Sequence, residues 1–495
     1  MSAPSLLDGL LDVASRQPGR VALWDASGAV TFEKLVDLVC GVAVRLRDEG
    51  LAASRIAVLG EANRSYVAAL FGVLGVGGVA VPLSPLYPAA ELARLLHASG
   101  ARALLSDVVF SPPLVGVPRF DLTSPFEKSA TRFDAPAQTA VLLFTSGTTG
   151  QPKGAPLGHA KLCNLSRLLA RAWALGPDDV LVHALPLHHL HGLGIALLST
   201  LLAGGTVDLR PFDPAAIWSS FERATLFMAV PTMHKRLLDA FDAAAPALKT
   251  VWRRHAGRLR LVTSGSAALP VQLGERWREL HGRYPLERFG MTEIGVGMSN
   301  PLDAERRPGS CGPPLEGMQV RIVDERGDDV GPDRSGEIWI RGPTVFEGYD
   351  AAPEATREAF AGDWFKTGDV GEWLDGGYVR VLGRASVDIL KSGGYKLSAL
   401  EIEAALRDHP SVGDVAVVGL PDEEWGEIVV AAVLPHPARP AADPEELRAW
   451  LKRRIAPYKV PRAVRVLDEL PRNALGKVNK RELGAVLATL LGRAR

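Results

Sequence analysis

The sequence lacks an excess of charge of either sign and has few cysteines, and each shortage excludes a class of protein. Lys and Arg number 56, Asp and Glu also number 56, and the formal net charge is therefore zero. Without a basic surplus or a tail of like charges, the composition argues against a nucleic-acid binder. The three cysteines, Cys40, Cys163 and Cys311, are far apart and lack the spacing of metal ligands. This predicts a reducing compartment, and we expect the cytoplasm.

The one long uncharged stretch of the sequence does not have the pattern of a membrane span. Residues 65–90 carry no charge and are long enough for a span. However, glycines and prolines divide this stretch into a short helix, a turn and a strand that ends at AVPL. Asp8 and Asp12 interrupt the apolar N-terminal segment, which predicts neither a secretory signal nor a transit peptide. We therefore expect no membrane span.

The chain has the alternating pattern of a layered α/β protein. At 495 residues it is too long for one core, which predicts two or more domains. Helical patterns alternate with short apolar strands in the first 300 residues, and this rhythm predicts much parallel sheet. The predicted strands are Arg55–Leu59, Ala80–Leu83, Asp179–Ala184, Thr206–Leu209, Thr225–Val230 and Leu259–Thr263.

The pattern changes twice in the second half of the chain. Residues 310–381 contain short β-rich pieces punctuated by glycine, and after Arg384 helices and strands are mixed. The predicted fold class is α/β. It consists of a large N-terminal domain (1–384) of layered α/β subdomains plus a β-rich subdomain, a hinge at 385–388, and a small mobile α+β C-terminal domain (389–495).

The stretch Leu142–Gly154, LLFTSGTTGQPKG, is the strongest candidate for a binding site. An apolar strand at 140–144 leads into a turn-rich run of glycines, hydroxyl residues and one lysine. Backbone N–H groups, hydroxyl donors and a cation together suit phosphate oxygens. No GK[ST] opens a following helix, so the run is not a P-loop. The candidate nucleotide-binding residues are Thr145, Ser146, Gly147, Thr148, Thr149, Gly150 and Lys153.

Four further motifs suit a nucleotide substrate. The turn in LVTSGSAALP is small enough for a purine to stack on its backbone. In FGMTE, Thr292 offers a hydroxyl to a phosphate, and Glu293 is a hard oxygen ligand for Mg²⁺. Asp369 in DWFKTGD suits ribose hydroxyls, and Arg384 supplies a planar cation. The segments KSGGYK and PRNALGK follow, the second ending at Lys477.

These motifs, in this order from Thr145 to Lys477, resemble the adenylate-forming superfamily of acyl-CoA synthetases, peptide-synthetase adenylation domains and beetle luciferases. The resemblance implies that the first loop holds the β- and γ-phosphates of ATP, and that Gly265, Ser266 and Ala267 border the adenine. It also implies that Lys477 reaches over the active site during adenylation. The C-terminal domain then rotates and presents Ser392, Gly393 and Gly394 to CoA.

The sequence blocks look most similar to malonyl-CoA synthetases. Arg236 and Arg288 are placed near the expected acid pocket, and two guanidiniums suit a second carboxylate. The alternative interpretation of Arg236 is a solvated charge on the surface of its helix. The resemblance implies a gate at His189, although buried structural histidines explain the run HALPLHHLHGLG equally well. By the same resemblance, Gly290 and Met291 line the pocket; His188 and Phe289 depart from the common pattern.

The predicted function is therefore an ATP- and Mg²⁺-dependent ligase that joins malonate or methylmalonate to CoA through an acyl adenylate. Its expected partners are small molecules, with no nucleic acid. Two catalytic alternatives stay open, namely a CoA ligase for a short monocarboxylic acid and an adenylation enzyme that loads a carrier protein. A non-catalytic nucleotide-binding scaffold is the third alternative, but such a protein is expected to have lost Glu293 or Lys477.

Overall fold

The computed structural model describes residues 5–108, 117–122, 132–146, 152–332, 334–392, 395–422, 424–437, 439–472 and 478–492, with the backbone alone at 146, 152, 395 and 396. The chain forms two compact units. The first unit takes the described residues of Met1–Val320 and Ile340–Phe365. The second takes those of Arg321–Trp339 and Lys366–Arg495.

A large sheet in the first unit carries much of the candidate site. Within the described ranges it has eight strands, the central ones parallel and the two outermost antiparallel to their neighbours. In spatial order they are β14 (Gly295–Ser299), β13 (Leu286–Met291), β12 (Leu261–Ser264), β11 (Leu226–Ala229), β9 (Val180–His183), β10 (Thr206–Leu209), β1 (Val21–Asp25) and β2 (Gly28–Thr31). Every residue of β10, β11 and β12 is buried, as expected for parallel strands covered on both faces.

A second sheet of the first unit holds the start and end of the candidate phosphate loop. Its described strands, in spatial order, are β6 (Arg119–Phe120), β5 (Ala103–Ser106), β3 (Arg55–Leu59), β4 (Val79–Leu83), β7 (Thr139–Ser146) and β8 (Pro152–Gly158). Strands β7 and β8 are antiparallel, and Thr145 pairs with Lys153. This hairpin keeps both ends of the loop side by side.

Helices connect these strands and bury their apolar faces. Helix α8 shows the pattern, because Met233, Leu237, Leu238 and Phe241 are all buried. The helices of the first unit are α1 (Leu6–Arg16), α2 (Phe32–Asp48), α3 (Arg64–Gly75), α4 (Ala89–Ser99), α5 (His159–Ala172), α6 (Ser199–Leu202), α7 (Pro214–Ser220), α8 (Pro231–Ala243), α9 (Pro246–Ala256), α10 (Val271–His281) and α11 (Pro353–Ala359). A π-helical segment, His191–Leu198, precedes α6.

The second unit begins with the β-rich part of the chain. Strands β15 (Gln319–Val323), β16 (Gly336–Arg341) and β18 (Trp364–Leu374) lie mostly in this unit, and β19 (Tyr378–Arg384) pairs with β18. A short 3₁₀ turn, Asp375–Gly377, joins these last two strands. Strand β17 (Phe360–Ala361) pairs with Trp364 and Phe365 inside the first unit.

The rest of the second unit is a sheet with helices on both faces. The strands are β20 (Ile389–Ser392), β21 (Tyr395–Ser398), β22 (Val412–Asp422), β23 (Gly426–Pro435) and β24 (Ala463–Val466), and the helices are α12 (Ala399–Arg407), α13 (Pro444–Lys452) and α14 (Lys480–Leu490), with a 3₁₀ turn at Pro457–Lys459. Alternate residues of β22 and β23 face opposite sides. One set packs with α12 and α13, and the other packs with α14.

The structure confirms the predicted fold class and most of the predicted elements. All six predicted strands of the N-terminal part are present, with ends shifted by two residues or fewer. The uncharged stretch 65–90 is the buried helix α3 followed by strand β4, and every helix within the described ranges is too short or too polar to cross a membrane. The domain boundary at 385–388 stays a prediction.

Candidate active site

Several candidate residues follow the carboxyl ends of parallel strands in the eight-stranded sheet. The histidine-rich segment follows β9, the turn that starts at Gly265 follows β12, and Glu293 follows β13. Ligands of open α/β sheets bind at this edge. The sheet therefore gathers segments that are far apart in the sequence.

Arg288 is the most unusual side chain in this group. It lies on β13, is only 4% exposed, and its Nε and Nη2 atoms have no hydrogen-bond partner among the described residues. Burial lowers the pKa of the guanidinium to about 10. A buried charge without an acceptor is costly unless an opposite charge joins it. The arrangement suits an anionic ligand.

The turn after β12 lies directly against this arginine. A Cβ atom added to Gly265 would be 2.5 Å from Cζ of Arg288, so glycine is required for the close approach. Ser266 follows with a positive φ of 66°, and its Oγ is 3.2 Å from Nδ1 of His191. Ala267 is exposed. The turn predicted to border adenine thus also contacts the arginine predicted for the acid.

His191 is a residue that the sequence analysis did not single out. It begins the π-helical segment, a structure that is frequent at functional sites. Burial is the main cause that lowers its pKa well below the ordinary value, and the charge of Arg288 adds to the effect. A neutral imidazole next to Ser266 and near Arg288 is a polar wall for a substrate. The sequence signal for this residue was its position in the histidine-rich run HALPLHHLHGLG.

The neighbouring histidines His188 and His189 pack against each other. The rings of His188 and His189 are 4.2 Å apart between centroids, and burial lowers the pKa of His188 and of His183 to about 3. His189 itself is half-buried. Among the described residues, no three His, Cys, Asp or Glu side chains are grouped to hold a metal ion. The gate role of His189 stays a prediction.

A second group of contacts joins the phosphate-loop hairpin to Glu293. Thr145 Oγ1 donates to the backbone oxygen of Lys153 at 3.4 Å, and Nζ of Lys153 lies 5.3 Å from the ring centroid of Tyr349. Tyr349 Oη donates to Oε1 of Glu293 at 3.0 Å. Residues 147–150 and the side chain of Ser146 lie outside the described residues.

Tyr349 belongs to a strap, Gly348–Asp350, which the sequence analysis missed. The backbone N of Asp350 donates to the oxygen of Gly154 at 2.8 Å. Arg55 donates to both carboxylate oxygens of Asp350 at 2.6 and 2.8 Å. The strap therefore ties the hairpin to the sheet strand β3 and presents the tyrosine hydroxyl to Glu293. None of the sequence motifs includes these residues.

Glu293 is suited to a magnesium ion that also contacts phosphates. Its side chain is 4% exposed, and its backbone oxygen accepts from the N of Phe346 at 2.7 Å. Mg²⁺ in nucleotide sites commonly takes one or two carboxylates plus substrate oxygens. A single oriented carboxylate beside a phosphate-loop candidate fits that donor set. Thr292, Gly290 and Met291 are half-buried at the preceding positions.

The remaining nucleotide candidates lie in the second unit. Nε of Arg384 is 3.1 Å from Oδ1 of Asp369, and its Nη1 donates to the oxygen of Thr367 at 2.6 Å. Asp369 is 7% exposed. Ser392 is half-buried at the end of β20. Gly393, Gly394 and Lys477 lie outside the described residues, and their roles stay predictions.

Arg236 is apart from the buried group around Arg288. It lies on the exposed side of α8, and its Cζ is 4.8 Å from the ring centroid of Phe212. This is the surface position that the sequence left open as the alternative. Its contact with an acid substrate stays a prediction.

Known proteins are similar to this chain over most of its length. The AMP-binding enzyme family matches residues 10–350, and the AMP-binding enzyme C-terminal domain matches residues 401–477. Malonate–CoA ligase ACSF3, mitochondrial, from Mus musculus is 40% identical over 514 residues, which cover 94% of this chain and 88% of that protein. ATP-bound MatB from Rhodopseudomonas palustris has a TM-score of 0.91 and 33% identity, covering 99% of this chain and 100% of the other.

A third relative was solved with a reaction intermediate. It is o-succinylbenzoate-CoA synthetase (MenE) from Bacillus subtilis in complex with the acyl adenylate OSB-AMP, with a TM-score of 0.87 and 29% identity, covering 98% of each chain. The family match extends over well more than half of the residues, and the relatives agree with it. The chain therefore belongs to the AMP-binding enzyme family.

Proposed function

We propose that this protein is an ATP-dependent acid–CoA ligase whose acid is malonate or methylmalonate. The observation that carries the choice of acid is Arg288, a buried guanidinium with two donors unpaired among the described residues. A substrate with a second carboxylate supplies the missing acceptor and charge, whereas an aliphatic tail leaves both unsatisfied. The relatives named malonate–CoA ligase support the same substrate class.

In the first step, one carboxylate oxygen of the acid attacks the α-phosphorus of ATP. The new O–P bond forms as the bond to pyrophosphate breaks, giving an acyl adenylate. The negative charge on the phosphate oxygens favours fixed donors over mobile water. In the proposal, Thr145 and Lys153 of the hairpin and the Thr292 hydroxyl supply those donors. The second carboxylate of the acid stays against Arg288.

Glu293 is the proposed magnesium ligand, and Tyr349 holds its carboxylate in place. The ion would supply charge neutralisation at the phosphates. The hydrogen bond from Tyr349 Oη orients this carboxylate. Orienting the carboxylate is the contribution of the strap to the reaction.

In the second step, the sulfur of CoA attacks the carbonyl carbon of the adenylate. A C–S bond forms, AMP leaves, and the thiol proton is lost to solvent or a base. The proposal assigns Ser392, Gly393 and Gly394 to the CoA side and Asp369 and Arg384 to the nucleotide ribose. It assigns Lys477 to the first step only. Cytoplasmic location and a place in fatty acid metabolism are further parts of the proposal.

A short monocarboxylic acid is the second candidate, because one of the two arginines predicted for the acid pocket is exposed. Arg236 packs over Phe212 at the surface. If Arg288 also served only the fold, an apolar acid would suffice. The two candidates share all of the chemistry and differ in the acid alone.

The deciding experiment measures pyrophosphate release and CoA thioester by mass spectrometry for purified protein with ATP, Mg²⁺ and CoA. The acids are malonate, methylmalonate, succinate, acetate and butyrate. We expect malonate or methylmalonate to give the highest rate and the matching thioester. Butyrate or acetate as the best substrate would contradict the assignment of the acid, and a CoA-independent product would contradict the ligase.

A further inference from the structure

Two buried carboxylates of the second unit share one lysine. Nζ of Lys480 is 2.5 Å from Oδ1 of Asp388 and 2.7 Å from Oε1 of Glu403. The exposed fractions of the three side chains are 13%, 12% and 4% in that order. Buried ion pairs add little net stability compared with apolar packing, but they impose one geometry. Such a cluster is better explained by positioning than by stability.

Asp388 belongs to the turn that the sequence predicts as a hinge. Its backbone N donates to the oxygen of Arg384 at 2.8 Å, and its Oδ2 accepts from the N of Arg384 at 3.0 Å. A Cβ added to Gly383, where φ is 131°, would lie 2.5 Å from Cβ of Asp388. One carboxylate oxygen therefore holds the turn closed while the other holds Lys480.

Lys480 begins helix α14, three residues after Lys477. The described residues before and after positions 473–477 contact each other. Arg472 and Val478 form an isolated β-bridge, and the N of Asn479 donates to the oxygen of Pro471 at 2.8 Å. Lys480 thus connects the base of this segment to the turn at Asp388.

Glu403 extends the same cluster into the body of the second unit. Its Oε1 accepts from the backbone N of Val417 at 2.9 Å, and its Oε2 is 3.3 Å from Nη2 of Arg407. Asp414 lies 3.8 Å from Nε of Arg407 and also pairs with Arg472. Arg472 and Lys480, which lie on either side of residues 473–477, are therefore both paired with carboxylates of the second unit, Arg472 with Asp414 on β22 and Lys480 with Glu403 on α12.

We propose that Lys480 is a positioning residue for adenylation, which fixes the base of the Lys477 segment against the turn at Asp388. It acts through Lys477 and touches no substrate. This inference rests on the proposed function, in which Lys477 serves the first step. Losing Lys480 should misplace Lys477 and slow adenylation, while thioester formation from preformed adenylate continues.

The test compares Lys480→Met with wild type in the two half-reactions. We expect adenylation, measured as pyrophosphate release, to fall by about 10²-fold, because small misplacements of a catalytic group have effects of this size. Thioester formation from supplied malonyl adenylate should change by less than about threefold in the same preparation. Lys480→Arg, which keeps the charge, should restore most of the adenylation rate.

A surface lysine of the same unit is the matched control. Lys459 binds Glu401 at 2.6 and 2.7 Å, and has no contact with the cluster among the described residues. Lys459→Met should leave both half-reactions unchanged. If Lys480→Met does not fold, Asp388→Asn replaces it with the same expected split. If Lys480→Met does fold, adding Asp388→Asn to it should slow adenylation no further, because the ion pair between the two residues is already lost.

Equal losses in both half-reactions, or no loss in either, would overturn the proposal. The rates of wild type with the five acids of the previous experiment distinguish a failure of this proposal from a failure of the proposed function. If wild type prefers another acid, the same half-reactions are measured with that acid and its adenylate. A wild type that adenylates no acid at all would overturn both proposals.

Discussion

Arg288→Met should stabilise the ligand-free protein while it removes the preference for malonate. The arginine is buried, two of its donors are unpaired among the described residues, and burial lowers its pKa to about 10. The folded state therefore disfavours the charged guanidinium. Burying an ion costs several kcal/mol, and replacing this arginine with an apolar side chain of similar length should recover about 1–4 kcal/mol of that cost. We expect the free energy of unfolding to rise within that range.

The assay is urea unfolding of wild type and variant, with and without malonate, monitored by tryptophan fluorescence. Malonate in the presence of ATP should raise the unfolding midpoint of wild type. Saturation at a hundred times the dissociation constant corresponds to about 2.7 kcal/mol. The variant should have a higher unfolding midpoint than wild type without ligand, and malonate should raise that midpoint very little. A variant that is destabilised without ligand, and still stabilised by malonate, would refute the reasoning.

Arg306 supplies the control for this experiment. Burial also lowers its pKa to about 10, but it donates to three backbone oxygens, including that of Tyr284 at 2.7 Å. Arg306→Met should therefore lower stability, because it leaves buried carbonyls unpaired. Stability should therefore change in opposite directions in the two variants. This difference distinguishes an arginine that binds a ligand from one that stabilises the fold.

Three further predictions concern the reaction and its pH dependence. Tyr349→Phe removes the hydrogen bond to Glu293, and we expect adenylation to fall about 10–100-fold with a higher Mg²⁺ requirement, measured by titration; an unchanged magnesium curve would contradict it. Burial raises the pKa of Glu287 to about 7, so the folded state favours the protonated carboxyl, and the stability that this gives is lost as the pH rises from 4.5 to about 7. Between these two pH values, the free energy of unfolding of Glu287→Gln should therefore rise by about 3 kcal/mol relative to wild type, measured by urea unfolding, and a difference that does not change with pH would contradict the raised pKa. Lys477→Ala should abolish pyrophosphate release yet spare thioester formation from supplied adenylate, and equal loss of both would remove the assigned division of roles.

The sequence predicted the elements well because their signals are local. Strands such as Arg55–Leu59 and Thr206–Leu209 are short apolar runs, and these two have the predicted bounds. The order of the motifs also identified the family. In both cases the information is contained in adjacent residues.

The parts of the site that the sequence missed depend on contacts between distant residues. Tyr349 meets Glu293 across 56 positions, and His191 meets Ser266 across 75. Periodicity placed Arg236 beside an inward face of its helix, but its contact with Phe212 comes from another segment. No local pattern reports such pairs, because the sheet and the loops bring them together only in the folded chain.

The account depends most directly on the role of Arg288 in choosing the acid. The measurement is the ratio of kcat/KM for malonate to that for butyrate, in wild type and in Arg288→Met. We predict that wild type favours malonate by about 10²–10⁴-fold, because butyrate leaves the buried guanidinium unpaired, and that the variant loses this preference. A ratio that is the same in both proteins would contradict the account.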